Sequence, residues 1–194
     1  MTRIEAAEAE QLAAVATAAL IAAGARTAPK TRGVDSLRTL ILVGEDLGVL
    51  AEAMEAKGDG KIKRHSNFSR DASNVRASAA VVLFGVTGEP KKPEQPLNCG
   101  ACGYGGCDAF IAAGKNERLD FRGPLCIYQL IDLGIALGVA AKISAEQCID
   151  SRIMYTIGAA AREAGYLKEC DVVMGLPLSV TGKNPFFDRQ QAVR

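Results

Sequence analysis

The sequence predicts a layered domain of helices and strands, α/β or α+β in class. Two observations carry this. Three short, largely apolar runs, "TLILVG" (39–44), "AAVVLFGV" (79–86) and "DVVMGLPL" (171–178), read as strands, the second of them apolar throughout. Long stretches with helical periodicity separate them, so helices are available to cover a sheet from either side. A third observation sits apart from the layering: three cysteines and four glycines fall within the nine positions Cys99 to Cys107.

Taken in order, alanine-rich periodicity predicts a long first helix from Ile4 to about Ala25, ended near Gly24. Its apolar part, 12–25, is too short for a membrane span, and Glu5, Glu8 and Glu10 precede it where a secretory signal would be basic. "RTAPKTRG" (26–33) is a loop, because Pro29 disfavours helix before it. After the first strand, Glu45 to Ala56 is helical with acidic residues at its start, matching the helix dipole. A polar stretch (57–64) and a short helix from Asn67 to Val75 lead into the second strand. "TGEPKKPEQP" (87–96), with three prolines, is irregular.

The cysteine loop follows. Asp108 is the expected cap of a two-turn helix that ends near Gly114. Residues 126–143 are apolar nearly all round, interrupted by Asp132, and predict a helix buried on most sides. Ser144 or Ser151 is expected to cap the next helix, with Ile153 to Gly165 helical. The tail "GKNPFFDRQQAVR" is extended and polar, suited to cover a cofactor or to pack across a partner subunit. Residues 1–194 read as one domain, with 97–126 an embedded cluster-binding segment.

The chain has a formal net charge of +1, which argues against a nucleic-acid partner. The runs "KIKR" (61–64) and "KK" (91–92) read as solvated loop charges. Nearly half the residues are apolar, enough for a core without disulfides. We therefore expect a cytoplasmic protein with no membrane segment, in which clustered cysteines serve metal or redox chemistry.

Cys99, Cys102 and Cys107, with Cys126 eighteen residues beyond, supply the four thiolates that a [4Fe–4S] cluster requires. The glycines permit left-handed turns, so the loop can wrap a bulky group and aim backbone N–H groups at sulfur. Structural zinc also accepts four cysteines, but its signature is two short paired knuckles. Cys148 and Cys170 stand alone and read as ordinary cysteines. His65 is the lone histidine and reads as a surface residue. "GYGG" lacks the lysine and hydroxyl of a phosphate loop. Asp132 is expected to be satisfied by a neighbouring donor.

"CGACGYGGCDAF" with Cys126 is similar to the four-cysteine [4Fe–4S] domain of corrinoid iron–sulfur proteins and electron-transport subunits. Over nearly the whole chain, "ARTAPKTRG", "CGACGYGGC", "PLCIYQLIDLGIALGVA", "DSRIMYTIG" and "GLPLSVTGKNPFFDR" resemble the ferredoxin-domain-containing DUF2148 family. The element order, "DLGIALGVAAKI" and "DVVMGLPLS" also resemble the nitroreductase-type flavoprotein fold. That second resemblance implies an α+β fold, a layered α/β/α sandwich with a cysteine-rich cluster loop, and an FMN-binding homodimer packed through its central helices, with Lys30 and Arg32 beside the flavin phosphate. The arginine-rich phosphate stretch usual before that fold's first helix is absent; only Arg3 lies there.

Two functional classes follow. One is an iron–sulfur redox protein that passes electrons to a partner protein, extended to a flavin-linked oxidoreductase if FMN binds. The other is a non-enzymatic module whose cluster, or zinc, is structural and supports assembly.

Overall fold

The computed structural model describes residues 3–59 and 67–188. His65 and the "KIKR" run lie outside the described residues. The helices are α1 (Ala6–Arg26), α2 (Glu45–Gly58), α3 (Asn67–Arg76), α4 (Cys107–Ala112), α5 (Ile127–Glu146) and α6 (Tyr155–Ala161). The strands are β1 (Arg38–Leu42), β2 (Ala80–Val86), β3 (Asn116–Glu117), β4 (Arg122–Gly123), β5 (Asp150–Ser151) and β6 (Val172–Ser179). Four of them form an antiparallel sheet in the order β1-β2-β6-β5, and β3 and β4 pair as a separate hairpin.

The alternation of side chains along β2 explains the layers. Val81 and Leu83 point into a core made with α2, α3 and α6. Ala80, Val82, Phe84 and Val86 point the other way, into a core made with α1 and α5. A strand covered on both faces has no polar side, which is why β2 is apolar throughout. β6 repeats the pattern: Val173 faces α6, while Val172, Leu176 and Leu178 face α1 and α5. The expected α/β/α sandwich is the observed one.

Close packing fixes one contact in particular. A Cβ built on Gly158 would stand 1.7 Å from the backbone oxygen of Val173, so α6 lies against β6 with no room for a methyl group.

Several local expectations differ from the structure. Asp108 does not cap α4; the helix begins one residue earlier, at Cys107, and its N-cap is Gly106. Ser144 caps nothing: it is buried inside α5 and donates to the Ile149 carbonyl at 2.8 Å. Ser151 lies in β5, and α6 starts at Tyr155 and stops at Ala161 rather than spanning 153–165. Within the tail, the described residues turn inward at Phe186, which is buried in the core beneath α6.

α5 also departs from expectation. Its inner side, including Leu133, Ala136, Leu137 and Ala140, is buried, but Ile127, Ile131 and Ile135 are exposed. An all-round apolar helix is therefore covered on one side of the single chain. α1 and α5 are long and apolar enough to cross a membrane by length and composition, yet both bury a face against the same side of the sheet.

Candidate functional site

Cys99, Cys102, Cys107 and Cys126 line one small recess, together with Pro90, Phe110 and Ile127. Three of the thiols arrive on one loop. Gly100 and Gly103 adopt positive φ of 71° and 85°, and the N–H of Gly103 donates to the Gly100 carbonyl at 2.9 Å. That turn curls the chain between Cys99 and Cys102 in a conformation that a side chain would strain. Tyr104 then folds edge-on against Phe110, with ring centroids 5.6 Å apart.

Asn98 closes the loop, a role that the sequence reading missed. Its side-chain oxygen accepts the backbone N–H of Cys107 at 2.9 Å, across nine residues. This brings the start and end of the loop together, and with them Cys99 and Cys107. Asn98 itself has φ of 46°, a left-handed conformation that asparagine tolerates better than most residues. An asparagine directly before the first cysteine was the available signal.

The fourth thiol comes from a different element. Cys126 is the N-cap of α5, and the N–H groups of Gln129 and Leu130 both donate to its carbonyl. Its own N–H donates to the Gly88 carbonyl at 2.7 Å. A thiolate here sits at the positive end of a 20-residue helix.

Cys99 is exposed and the other three are half-buried, so the recess opens to the surface. Among the described residues, no group of three or more Cys, His, Asp or Glu side chains is drawn tightly enough to hold a single metal ion. The four thiols share one recess. The donor set suits a polynuclear group: four sulfurs around a recess with a glycine-rich rim and a helix start behind one of them.

The two remaining cysteines lie elsewhere. Cys148 is exposed in the turn after α5. Cys170 is buried beside Gly85, and burial pushes its thiol up to about 12, so it stays protonated and inert.

Next to the recess, Asp132 on α5 is the anchor of a buried polar cluster. Lys91 forms an ion pair with it, both side chains being almost fully enclosed, and also donates to the Val34 carbonyl at 2.8 Å. Thr31 donates to Asp132 through its N–H and its hydroxyl, each at 2.9 Å. The expectation that Asp132 meets a donor is met, whereas Lys91 is not the solvated loop charge that the "KK" run suggested. Burial is possible because the pair is mutual; removing one partner of such a pair costs about 3–5 kcal/mol.

That cluster also fixes the loop carrying Lys30 and Arg32. Lys30 turns back onto its own segment, donating to the carbonyls of Arg26 (2.5 Å) and Ala28 (2.8 Å), with Asp35 3.9 Å away. Arg32, at φ of 58°, donates to the backbone carbonyl of Gln95 and lies 3.4 Å from its side-chain oxygen. A flavin phosphate bound there would compete with these contacts.

A model of the family described as an uncharacterised protein containing a ferredoxin domain (DUF2148) matches residues 122–189. The matched stretch holds Cys126 and leaves the other three ligand candidates outside it. An uncharacterised protein of Archaeoglobus fulgidus is 46% identical over 172 residues, 89% of each chain. Among solved structures, a nitroreductase-like family protein from Bacillus cereus superposes with a TM-score of 0.56 at 9% identity, over 99% of this chain and 83% of that one. A nitroreductase with bound FMN from Desulfitobacterium hafniense gives 0.53 at 12% identity, over 94% and 82%. The fold is that of the nitroreductases; identities this low speak to the fold alone.

Proposed function

The chain belongs to the ferredoxin-domain-containing DUF2148 family, and on that premise we propose that it is an iron–sulfur redox protein. The observation that carries the reading is the shared recess of Cys99, Cys102, Cys107 and Cys126. These four thiolates would hold a [4Fe–4S] cluster, which supplies one-electron transfer when bound. Asn98 keeps the loop closed around it, and the start of α5 favours the anionic group. The exposure of Cys99 leaves one side of the site open to a redox partner protein.

The fold adds a flavin to the proposal. A nitroreductase relative in structure is described with bound FMN, and FMN here would link the cluster's single electrons to two-electron chemistry. The exposed isoleucines of α5 beside open positions at Gly134 and Gly138 support a homodimer that covers this helix. Reducing surroundings suit six unpaired thiols, so we place the protein in the cytoplasm.

A second reading has its own observation. Lys30 and Arg32 are both engaged within the chain, which supports a flavin-free module whose cluster, or zinc, is structural. Anaerobic purification with iron, sulfide, zinc and flavin analysis and an absorption spectrum separates the two. Iron and sulfide in equal amounts with flavin support the oxidoreductase. Zinc alone, or neither iron nor sulfide, overturns the iron–sulfur reading.

A further inference from the structure

Eighteen residues separate Cys107 from Cys126, and something must fix the fourth thiol relative to the other three. One side chain joins the connection before the cysteine loop, α4 and the approach to Cys126. Lys115 follows α4, and its ammonium donates to the Pro124 carbonyl at 2.5 Å and lies 3.3 Å from the Gly88 carbonyl. The same Gly88 carbonyl accepts the N–H of Cys126 at 2.7 Å. The ammonium also lies 5.0 Å from the centroid of Phe110, a wall of the cysteine recess.

Its charge is rooted in the sheet. Asp171, buried at the entry to β6, pairs with Lys115 at 3.1 Å and with Arg122 at 2.7 Å, and its N–H donates to the Val86 carbonyl. Glu89 adds a longer pair to Lys115 at 3.5 Å. The core of the sheet, the connection before the cysteine loop, α4 and the approach to Cys126 thus meet on one cation.

We propose that Lys115 is the positioning residue of the four-cysteine site, holding Cys126 in register with Cys99, Cys102 and Cys107. The inference rests on the cluster reading above. A compact ammonium with three donors suits this junction, since it can satisfy two carbonyls and a carboxylate at once. Its charge also offsets Asp171 and Glu89 behind the Phe110 wall, so removing it makes the surroundings more negative and disfavours the reduced state of a bound cluster.

The test compares the full-length chain, purified anaerobically, with Lys115→Met and Lys57→Met. Lys57 ties the other end of the same hairpin, through the Leu119 carbonyl at 2.9 Å and Asp120 at 3.5 Å, without touching Pro124 or Gly88. Iron, sulfide and zinc per chain, retention against a chelator, midpoint potential and Tm are read for each. Outer partners of metal ligands typically cost 10–100-fold in affinity, so Lys115→Met should release iron about 10-fold more readily. What cluster it retains should have a lower potential, and Lys115→Arg should restore that potential. Lys57→Met should lower Tm while keeping the cluster.

Unchanged retention and potential in Lys115→Met overturn the proposal. So does equal cluster loss in both variants for an equal fall in Tm, which would make Lys115 a general stabiliser. If the Met chain does not fold, Lys115→Gln carries the same comparison. Zinc in place of iron would sink the iron–sulfur reading alone: zinc lost from Lys115→Met would still support the positioning role, and zinc held equally would end it. A chain with neither metal overturns both.

Discussion

The side-chain oxygen of Asn98 accepts the backbone N–H of Cys107 at 2.9 Å, so one hydrogen bond joins the two ends of the loop that carries three of the four thiols. Neighbouring packing is tailored to it: a Cβ on Gly106 would stand 3.2 Å from that oxygen. The bond is exposed and worth only about 1 kcal/mol to folding. Its larger effect is on the loop, which has no regular structure of its own before Cys107. Asn98→Gly keeps the left-handed backbone and removes the acceptor, whereas Asn98→Asp keeps both. We expect Asn98→Gly to lose iron to a chelator several-fold faster than Asn98→Asp, with Tm nearly unchanged in both. Equal rates would show that the loop needs no closure.

Thiol chemistry separates the ligands from the other cysteines. Serine at Cys99, Cys102, Cys107 or Cys126 should lower iron and sulfide content, and serine at Cys148 or Cys170 should not. In the loaded native protein a thiol reagent at pH 8 should find Cys148 alone, because Cys170 is buried and the others are ligated. Cys170 also sets a pH dependence. Its folded pKa, about 12, lies above the ordinary value of 9, because burial disfavours the thiolate. The stability it contributes is complete below about pH 9 and is lost as the pH rises toward 12. Cys170→Ala should flatten that alkaline limb of the stability curve. Full cluster content in Cys126→Ser would show that the fourth ligand lies elsewhere.

The layers were legible in the sequence because burial on both faces leaves a strand without polar residues, as in β2. The cysteine loop was legible because three thiols among glycines have no role in a core. Lys91 and Lys115 were not. Each acts through partners distant in sequence: Asp132 lies 41 residues from Lys91, and Lys115 answers to Gly88 and Asp171. The two-residue strands β3, β4 and β5 carry too few residues for any periodicity, and pairing alone defines them. α5 was expected at a homodimer interface, but which of its sides stays open was not legible, because hydropathy does not say which apolar side a neighbour covers.

Gly158 makes a sharp test of the packing between α6 and β6. A methyl group there would meet the Val173 carbonyl oxygen at 1.7 Å, and backbone cannot rotate aside as a side chain can. Gly158→Ala should therefore lift α6 from the sheet and destabilise by about 1–3 kcal/mol or more. For a chain of this size each kcal/mol lowers Tm by about 2–4 °C. An unchanged Tm in a thermal melt would mean that α6 has room the structure does not show.

The isoleucine stripe of α5 bears on assembly. Ile131 and Ile135, 45% and 40% exposed, follow Ile127 on one face, with Gly134 and Gly138 open beside them. An apolar helix face of this kind calls for a cover, and glycines let a second helix approach closely. Light scattering at micromolar concentration should give a dimer for the unmutated chain and a monomer for Ile131→Glu/Ile135→Glu. A monomeric unmutated chain would remove the dimer from the proposal.

The flavin is tested at Lys30 and Arg32. If the fold brings FMN with it, the phosphate needs cations, and the two on the loop after Pro29 are those that the resemblance places nearest. In the structure Lys30 is held by the carbonyls of Arg26 and Ala28, and Arg32 by Gln95. Binding must therefore exchange these hydrogen bonds for charge-assisted ones to phosphate, which are roughly twice as strong as neutral bonds. The exchange is favourable only if the loop can turn, and the half-buried Thr31–Asp132 contacts oppose large movement. FMN added to the flavin-free protein should show saturable fluorescence quenching, weaker by tenfold or more in Lys30→Ala/Arg32→Ala if the two cations each contribute as charged hydrogen bonds do. Equal binding by both chains would keep the flavin and move its phosphate to other donors. No saturable binding by the unmutated chain would leave the four-cysteine recess as the protein's redox centre without a flavin beside it.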